Sequence, residues 1–248
     1  MPRYKMVISY DGTSYGGWQS QTNSVCIQDV IESALGKILR NTIKVNGSGR
    51  TDSGVHALGQ VAHFDAEHPI DTTKTCYSLN CLLPKDIRIL ELTLAEDTFH
   101  ARYSAVKKIY QYRLHLDTIS DPFKRRYALH VLHKLDIEAM KEGAKHLVGT
   151  HDFSSFANQQ DEGSAGKDAV RTIFRIDFIP EAGGMILEFE GNGFLYKMVR
   201  NITGTLLEVG GKKRNPNQIP TILELKDRKA AGKAAEAHGL YLVKVFYS

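Results

Sequence analysis

The chain has 248 residues, 42% of them hydrophobic and 24% charged, with 32 Lys and Arg against 28 Asp and Glu for a formal charge of +4. That balance excludes a disordered chain, and a chain of this length buries on the order of 70% of its unfolded surface without a disulfide or metal staple. Three cysteines, Cys26, Cys76 and Cys81, are odd in number and form no Cys-x-x-Cys pair, which argues against a disulfide framework or a cysteine-built zinc site.

Met1-Pro2-Arg3-Tyr4 turns polar at once, so no signal peptide is read there, and no apolar run approaches the roughly 18 residues of a membrane span. The expectation is a soluble, cytoplasmic protein. Lys5–Tyr10 is a β-rich run stopped by the turn signal Asp11-Gly12. Thr13 to Asn23 reads as loop. Apolar residues from Ile27 to Leu39 recur at helical spacing, with Ser24 as the candidate cap of a helix over Cys26–Arg40. Three glycines in Gly47–Gly54 mark a tight, backbone-permissive loop. Gln60–Ala66 reads as a strand. Asp71 caps a predicted helix to about Leu82, broken by Pro84, and Ile87–Leu94 is another strand.

The second half repeats the rhythm. Lys108–Leu116 alternates as a strand, and Asp136 caps a helix through Leu147 that Gly149 closes. Gln159 to Lys167 reads as a polar, mobile loop. Strands are expected at Val170–Ile179, Met185–Glu190 and Leu240–Phe246, a helical run at Phe194–Val209, and a short helix near Ile219. Strands mixed with two helices in each half predict two α+β layers, read as ferredoxin-like duplicates, with a boundary between Glu96 and Ser104. The expected subdomains are 1-103 and 104-248.

Chemistry concentrates in Gly47–His56. An unperturbed aspartate is ionised near neutrality, and Arg50 two residues from Asp52 could hold an anion. From spacing alone Asp52 reads either as a ligand-facing carboxylate or as an Asx-turn residue, the commoner case. The glycines fit neither nucleotide-binding motif. His56 and His63, seven apart, lack metal-pair spacing. Aromatics among cations recur in Phe99–Tyr103, Lys107–Arg113 and Lys124–Tyr127, and Lys212-Lys213-Arg214 follows; together they suit RNA, whose bases stack while its phosphates meet Lys and Arg. In the apolar run from Phe194, Met198, Ile202 and Leu206 extend a core stripe. Arg200 there needs a partner, with Asp52 and Glu208 as candidates.

Gly47-Ser48-Gly49-Arg50-Thr51-Asp52-Ser53-Gly54-Val55-His56-Ala57 resembles the central motif of the tRNA pseudouridine synthase A (TruA) family, GRTDxGVHA. Tyr10–Gln19, Phe99–Ala105 with Tyr110-Gln111-Tyr112, Gly149–Phe156, Phe194–Gly210 and Gly239–Leu242 resemble further family blocks, in family order across nearly the whole chain. Departures are small: Ser53 stands where Ala is common, Tyr103 where Phe is common, and Ala234–His238 replaces a more proline-rich stretch.

The resemblance implies an α+β pseudouridine synthase fold of two ferredoxin-like subdomains, with joined antiparallel and mixed sheets and a central cleft. It implies isomerisation of uridine to pseudouridine in the tRNA anticodon stem-loop, at positions 38, 39 and 40, by a homodimer with no cofactor and no metal. By the motif match Asp52, Tyr110 and Arg200 are catalytic, with Arg200 pairing Asp52. Arg50, His56, Lys108 and again Tyr110 bind substrate. The alternative is a catalytically inactive RNA-binding module of the same fold. A nucleoside hydrolase would need a second acid at defined separation.

Overall fold

Alternation in the first strand sets the geometry of the N-terminal part. In β1 (Arg3–Tyr10) every second side chain is buried, so Tyr4, Met6, Ile8 and Tyr10 share one face and Arg3, Lys5, Val7 and Ser9 the other. The computed structural model describes residues 1–158 and 168–248; the polar loop expected at Gln159 to Lys167 lies outside the described residues. The described chain divides into two units, Met1–Val106 with Tyr241–Ser248, and Lys107–Leu240.

In the first unit β1 is followed by α1 (Ile27–Leu39), β2 (Asn46–Gly47), β3 (His56–Asp65), α2 (Thr72–Leu82) and β4 (Ile87–Ala95). The α1 stripe Ile27, Ile31, Ala34 and Leu35 is buried. Its cap is Cys26, with no side-chain bond, rather than Ser24. Ser24 instead bridges to Gln21, which takes it out of cap position. Asp71 caps α2, its carboxylate accepting the Lys74 N–H at 3.0 Å. β1 pairs antiparallel with both β3 and β4, and β2 pairs antiparallel with β3. The order β4-β1-β3-β2 from a β-α-β-β-α-β succession is ferredoxin-like. β10 (Leu240–Tyr247) adds a parallel pairing to β3, Tyr241 opposite His56 and Leu242 opposite Ala57.

The second unit holds all but the first two residues of β5 (Ala105–His115), then β6 (Leu129–His130), α3 (Ile137–Lys145), β7 (Gly149–Asp152), β8 (Val170–Glu181), β9 (Gly184–Gly191), α4 (Met198–Gly210) and α5 (Ile219–Leu225). Its strands run β5-β9-β8-β7, antiparallel throughout, with β6 parallel to β5. Gly183 turns the β8–β9 hairpin at φ 69°, where a Cβ would collide with the Asp117 carboxylate. Asp136 caps α3 by accepting the Ala139 N–H at 3.0 Å. Met140 of α3 and Ile202 and Leu206 of α4 are fully buried.

The helix expected from Phe194 begins four residues later. Lys197 takes the left-handed conformation at φ 59° and ends the preceding segment, so periodicity continued through residues that are not helical. Phe194 thereby leaves the Met198–Ile202–Leu206 stripe and sets its ring edge against Tyr110, with centroids 5.1 Å apart.

Candidate active site

In the first unit, the loop between β2 and β3 carries Arg50 and Asp52 and leads into His56, the first residue of β3. Arg50 is exposed, Asp52 half-buried and His56 only 2% exposed. A turn closes over Asp52, whose carbonyl accepts the Val55 N–H at 3.1 Å. The rest of the loop is shaped by the Tyr10–Trp18 segment. The Trp18 N–H donates to Thr51 O at 3.1 Å, and Tyr10 and Thr51 hydroxyls bond at 2.8 Å. Ser53 Oγ donates to Tyr15 O at 3.1 Å. Burial pushes the Tyr10 phenol up, so it keeps its proton across the neutral range.

Close approach explains the glycines of this segment. A Cβ on Gly12 would overlap the Val55 carbonyl, and one on Gly17 would overlap Thr51 O while Gly17 holds φ 101°. Gly47 lies so close to the Trp18 indole that no side chain fits. Buried Gln60 stitches the loop entrance: its Oε1 accepts Ser48 Oγ at 2.6 Å and its Nε2 donates to Gly49 O at 3.0 Å. His56 Nδ1 accepts the Gly12 N–H at 3.1 Å and lies 3.1 Å from Asp11 Oδ1. Its ring stacks on Tyr241 at 4.8 Å. This burial places His56 in the scaffold of the loop.

In the second unit, Lys108, Tyr110 and Tyr112 follow one another along one face of β5. Tyr110 is buried and Lys108 half-buried, opposite Phe189 and Gly191 of β9. Arg200 is the third residue of α4. Its Nε donates to Ala235 O at 2.8 Å while the Ala235 N–H returns a bond to Arg200 O at 2.9 Å. The Arg200 charge reaches the Tyr112 phenol, which burial pushes up and which donates to Glu236 O at 2.8 Å. Glu208, the other carboxylate considered for Arg200, is bonded to Arg214 at 3.0 Å.

The base of α4 is braced by the Gly149–Phe156 segment. Asp152 accepts the Ser154 N–H at 3.0 Å and Oγ at 2.6 Å, and pairs with Lys226 at 2.9 Å. The Ser154 bonds, then Lys226, hold its carboxyl down at about 2. Asn201 donates to Phe156 O at 2.7 Å. Among the described residues, no group of three or more His, Cys, Asp or Glu is placed to hold a metal ion. None of the described helices is long and apolar enough to cross a membrane.

A family model described as tRNA pseudouridine synthase matches residues 6–104 and 144–248. The chain belongs to this family. It is 50% identical over 245 residues to tRNA pseudouridine synthase A 1 of Protochlamydia amoebophila (strain UWE25), covering 98% of this chain and 96% of that one. It is 47% identical to tRNA pseudouridine synthase A of Bacillus subtilis (strain 168), covering 99% of each. The corresponding protein of Chlamydia felis (strain Fe/C-56) is 45% identical, with 100% of this chain and 92% of that one covered. The matched pseudouridine synthase spans contain Arg50, Asp52, His56 and Arg200; Lys108 and Tyr110 fall in the interval between them. Sequence reasoning missed the supports, Gly12, Gly17, Trp18 and Gln60. The signal for the first three was the Tyr10–Gln19 block, whose glycines carry no chemistry of their own.

Proposed function

We propose that this chain isomerises uridine to pseudouridine in the anticodon stem-loop of tRNA, at positions 38, 39 and 40. Membership of the tRNA pseudouridine synthase family over both matched spans carries the reading. The isomerisation breaks the bond from ribose to uracil N1 and forms one to C5; C5 gives up its proton, N1 takes one up, and there is no net redox change. The uridine first leaves the stack, at a cost of a few kcal/mol.

Asp52 supplies the carboxylate. It serves by attacking the base or by stabilising the electron-poor sugar, and both roles need the ionised form in a fixed position. The bonds that shape its loop come from Tyr10, Tyr15 and Trp18, which supports a preset geometry. Arg200, held by its two bonds to Ala235, supplies a fixed cation to the reaction. The buried Tyr110 ring, edge-on to Phe194, is the face on which uracil stacks, and its phenol assists removal of the C5 proton. Exposed Arg50 and half-buried Lys108 meet phosphates, and His56 acts through the loop it supports. The enzyme works as a homodimer in the cytoplasm.

Tritium release from tRNA labelled at uracil C5 tests the reading. The native chain releases tritium in multiple turnovers. Asp52→Asn lowers kcat by about 10³-fold or more while folding and tRNA affinity stay native. Full turnover by Asp52→Asn overturns the catalytic assignment. Binding without any release by the native chain leaves the inactive RNA-binding module.

A further inference from the structure

Between β4 and β5 the chain makes a short, tightly bonded excursion at Phe99–Ser104. It lies against the face of the first unit's sheet that carries Arg3 and His63, opposite the Tyr4, Met6 and Ile8 face. His63 Nδ1 accepts the Ala101 N–H at 3.2 Å, and Tyr247 donates to Ala101 O at 2.7 Å. Arg3 donates to Asp97 O and Phe99 O, each at 2.9 Å. Within the excursion, Ser104 N donates to His100 O at 2.9 Å and Ser104 Oγ accepts from His100 N at 3.0 Å. His100 Nδ1 accepts the Arg102 and Tyr103 N–H groups at 3.1 and 3.3 Å.

Both imidazoles are neutral at pH 7. Burial, then His100 and Arg3, brings His63 down to about 4, and burial with the charges of Arg3 and Arg102 lowers His100. They therefore serve as acceptors and as ring surface. On this support stands Tyr103, 75% exposed, its ring centroid 4.4 Å from that of His100. The Arg102 guanidinium carbon lies 5.7 Å from the Tyr103 centroid.

A large aromatic ring is thus held in water on a backbone with its amides and carbonyls tied down. Such a ring binds without paying for its own ordering. A ring beside a guanidinium suits one ligand chemistry above others: a nucleobase stacks on the planes while its phosphate meets the cation. A second protein copy fits poorly, since a stable interface needs about 800 Å² from each partner around an apolar centre, and within Phe99–Ser104 the exposed side chains are Arg102 and Tyr103.

We infer that Tyr103 and Arg102, backed by His100, form a stacking platform for a tRNA nucleotide other than the reacting uridine. The inference rests on the proposed action on tRNA. β3 separates the two places: it starts at His56, beside the Asp52 loop, and reaches His63 seven residues on, roughly 23 Å along the strand. The platform therefore grips a second part of the same RNA and contributes to positioning it.

The test compares Tyr103→Ala, Tyr103→Phe and Arg102→Ala in the full chain, by unmodified-tRNA affinity and by KM and kcat for tritium release. Tyr103→Ala is expected to weaken tRNA binding about tenfold, the scale of one lost base–aromatic stack, with KM rising in parallel and kcat reached at saturating tRNA. Tyr103→Phe stays within about twofold of native, and Arg102→Ala lowers the slope of log affinity against log salt by about one. Affinity of Tyr103→Ala within twofold of native overturns the platform. So does a change of its sedimentation with RNA affinity intact, which assigns the surface to a second copy. A native chain that binds tRNA and releases no tritium overturns the proposed activity alone, because the affinities still decide the platform. A native chain that binds no tRNA overturns both.

Discussion

Two aspartates a hundred residues apart sit in turns that are braced by different segments. Asp152 makes its own turn: its carboxylate accepts two bonds from Ser154 and pairs with Lys226. The turn around Asp52 is shaped from outside, by Tyr10, Tyr15 and Trp18 and by the glycines that let Gly12 and Gly17 touch its backbone. A carboxylate consumed in shaping its own turn is a structural staple. A loop braced by a separate segment takes its shape from bonds to Thr51 and Ser53.

The contrast is open to breakage. The largest effect is expected from Gly12→Ala, whose Cβ would strike the Val55 carbonyl, a backbone atom that cannot step aside. Overpacking of this kind should cost about 3 kcal/mol and, by displacing Asp52 about 1 Å, lower kcat by about 10²-fold. Native kcat in the folded variant would separate loop shape from activity. Asp152→Ala should cost about 1–2 kcal/mol in urea melts with kcat little changed in the folded fraction.

Its acid dependence has a definite sign. The Asp152 carboxyl is held at about 2 when folded against 3.8 unfolded. Its contribution is complete above pH 3.8 and fades as pH falls towards 2, so the gap between native and variant should close over that window. A constant gap would count against the staple. The smallest effect belongs to Tyr10→Phe, which removes one buried bond to Thr51 and should cost about 1 kcal/mol. If its kcat falls more than its stability predicts, the Tyr10–Thr51 bond positions Asp52 rather than merely packing.

The elements governed by local chemistry could be read from the chain. Asp71 and Asp136 were legible as caps because a cap is decided within three residues. The strand pattern of Lys5–Tyr10 was legible because alternation is local. The start of α4 was not: Phe194 keeps helical spacing with Met198, and only the packing of its ring on Tyr110 and the left-handed Lys197 remove it from the helix. Ser24 had cap chemistry at an offset that its bridge to Gln21 made unusable. The Gly47–Gly54 loop announced itself by its glycines, but its braces did not, since Gln60 and Trp18 look like ordinary strand and loop residues until Gly49 and Thr51 are beside them.

The parallel pairing of Tyr241 with His56 carries a consequence for the order of synthesis. The strand that leads out of the Asp52 loop emerges early, whereas its partner β10 follows the whole of Lys107–Leu240. At usual elongation rates that interval lasts roughly ten seconds. Throughout it the His56 ring has no Tyr241 to stack on, and the start of β3 presents an unfilled strand edge to everything else in the cell. The first unit is translated first and finished last, so any chain interrupted before β10 leaves the ribosome with His56 and Ala57 lacking their strand partners.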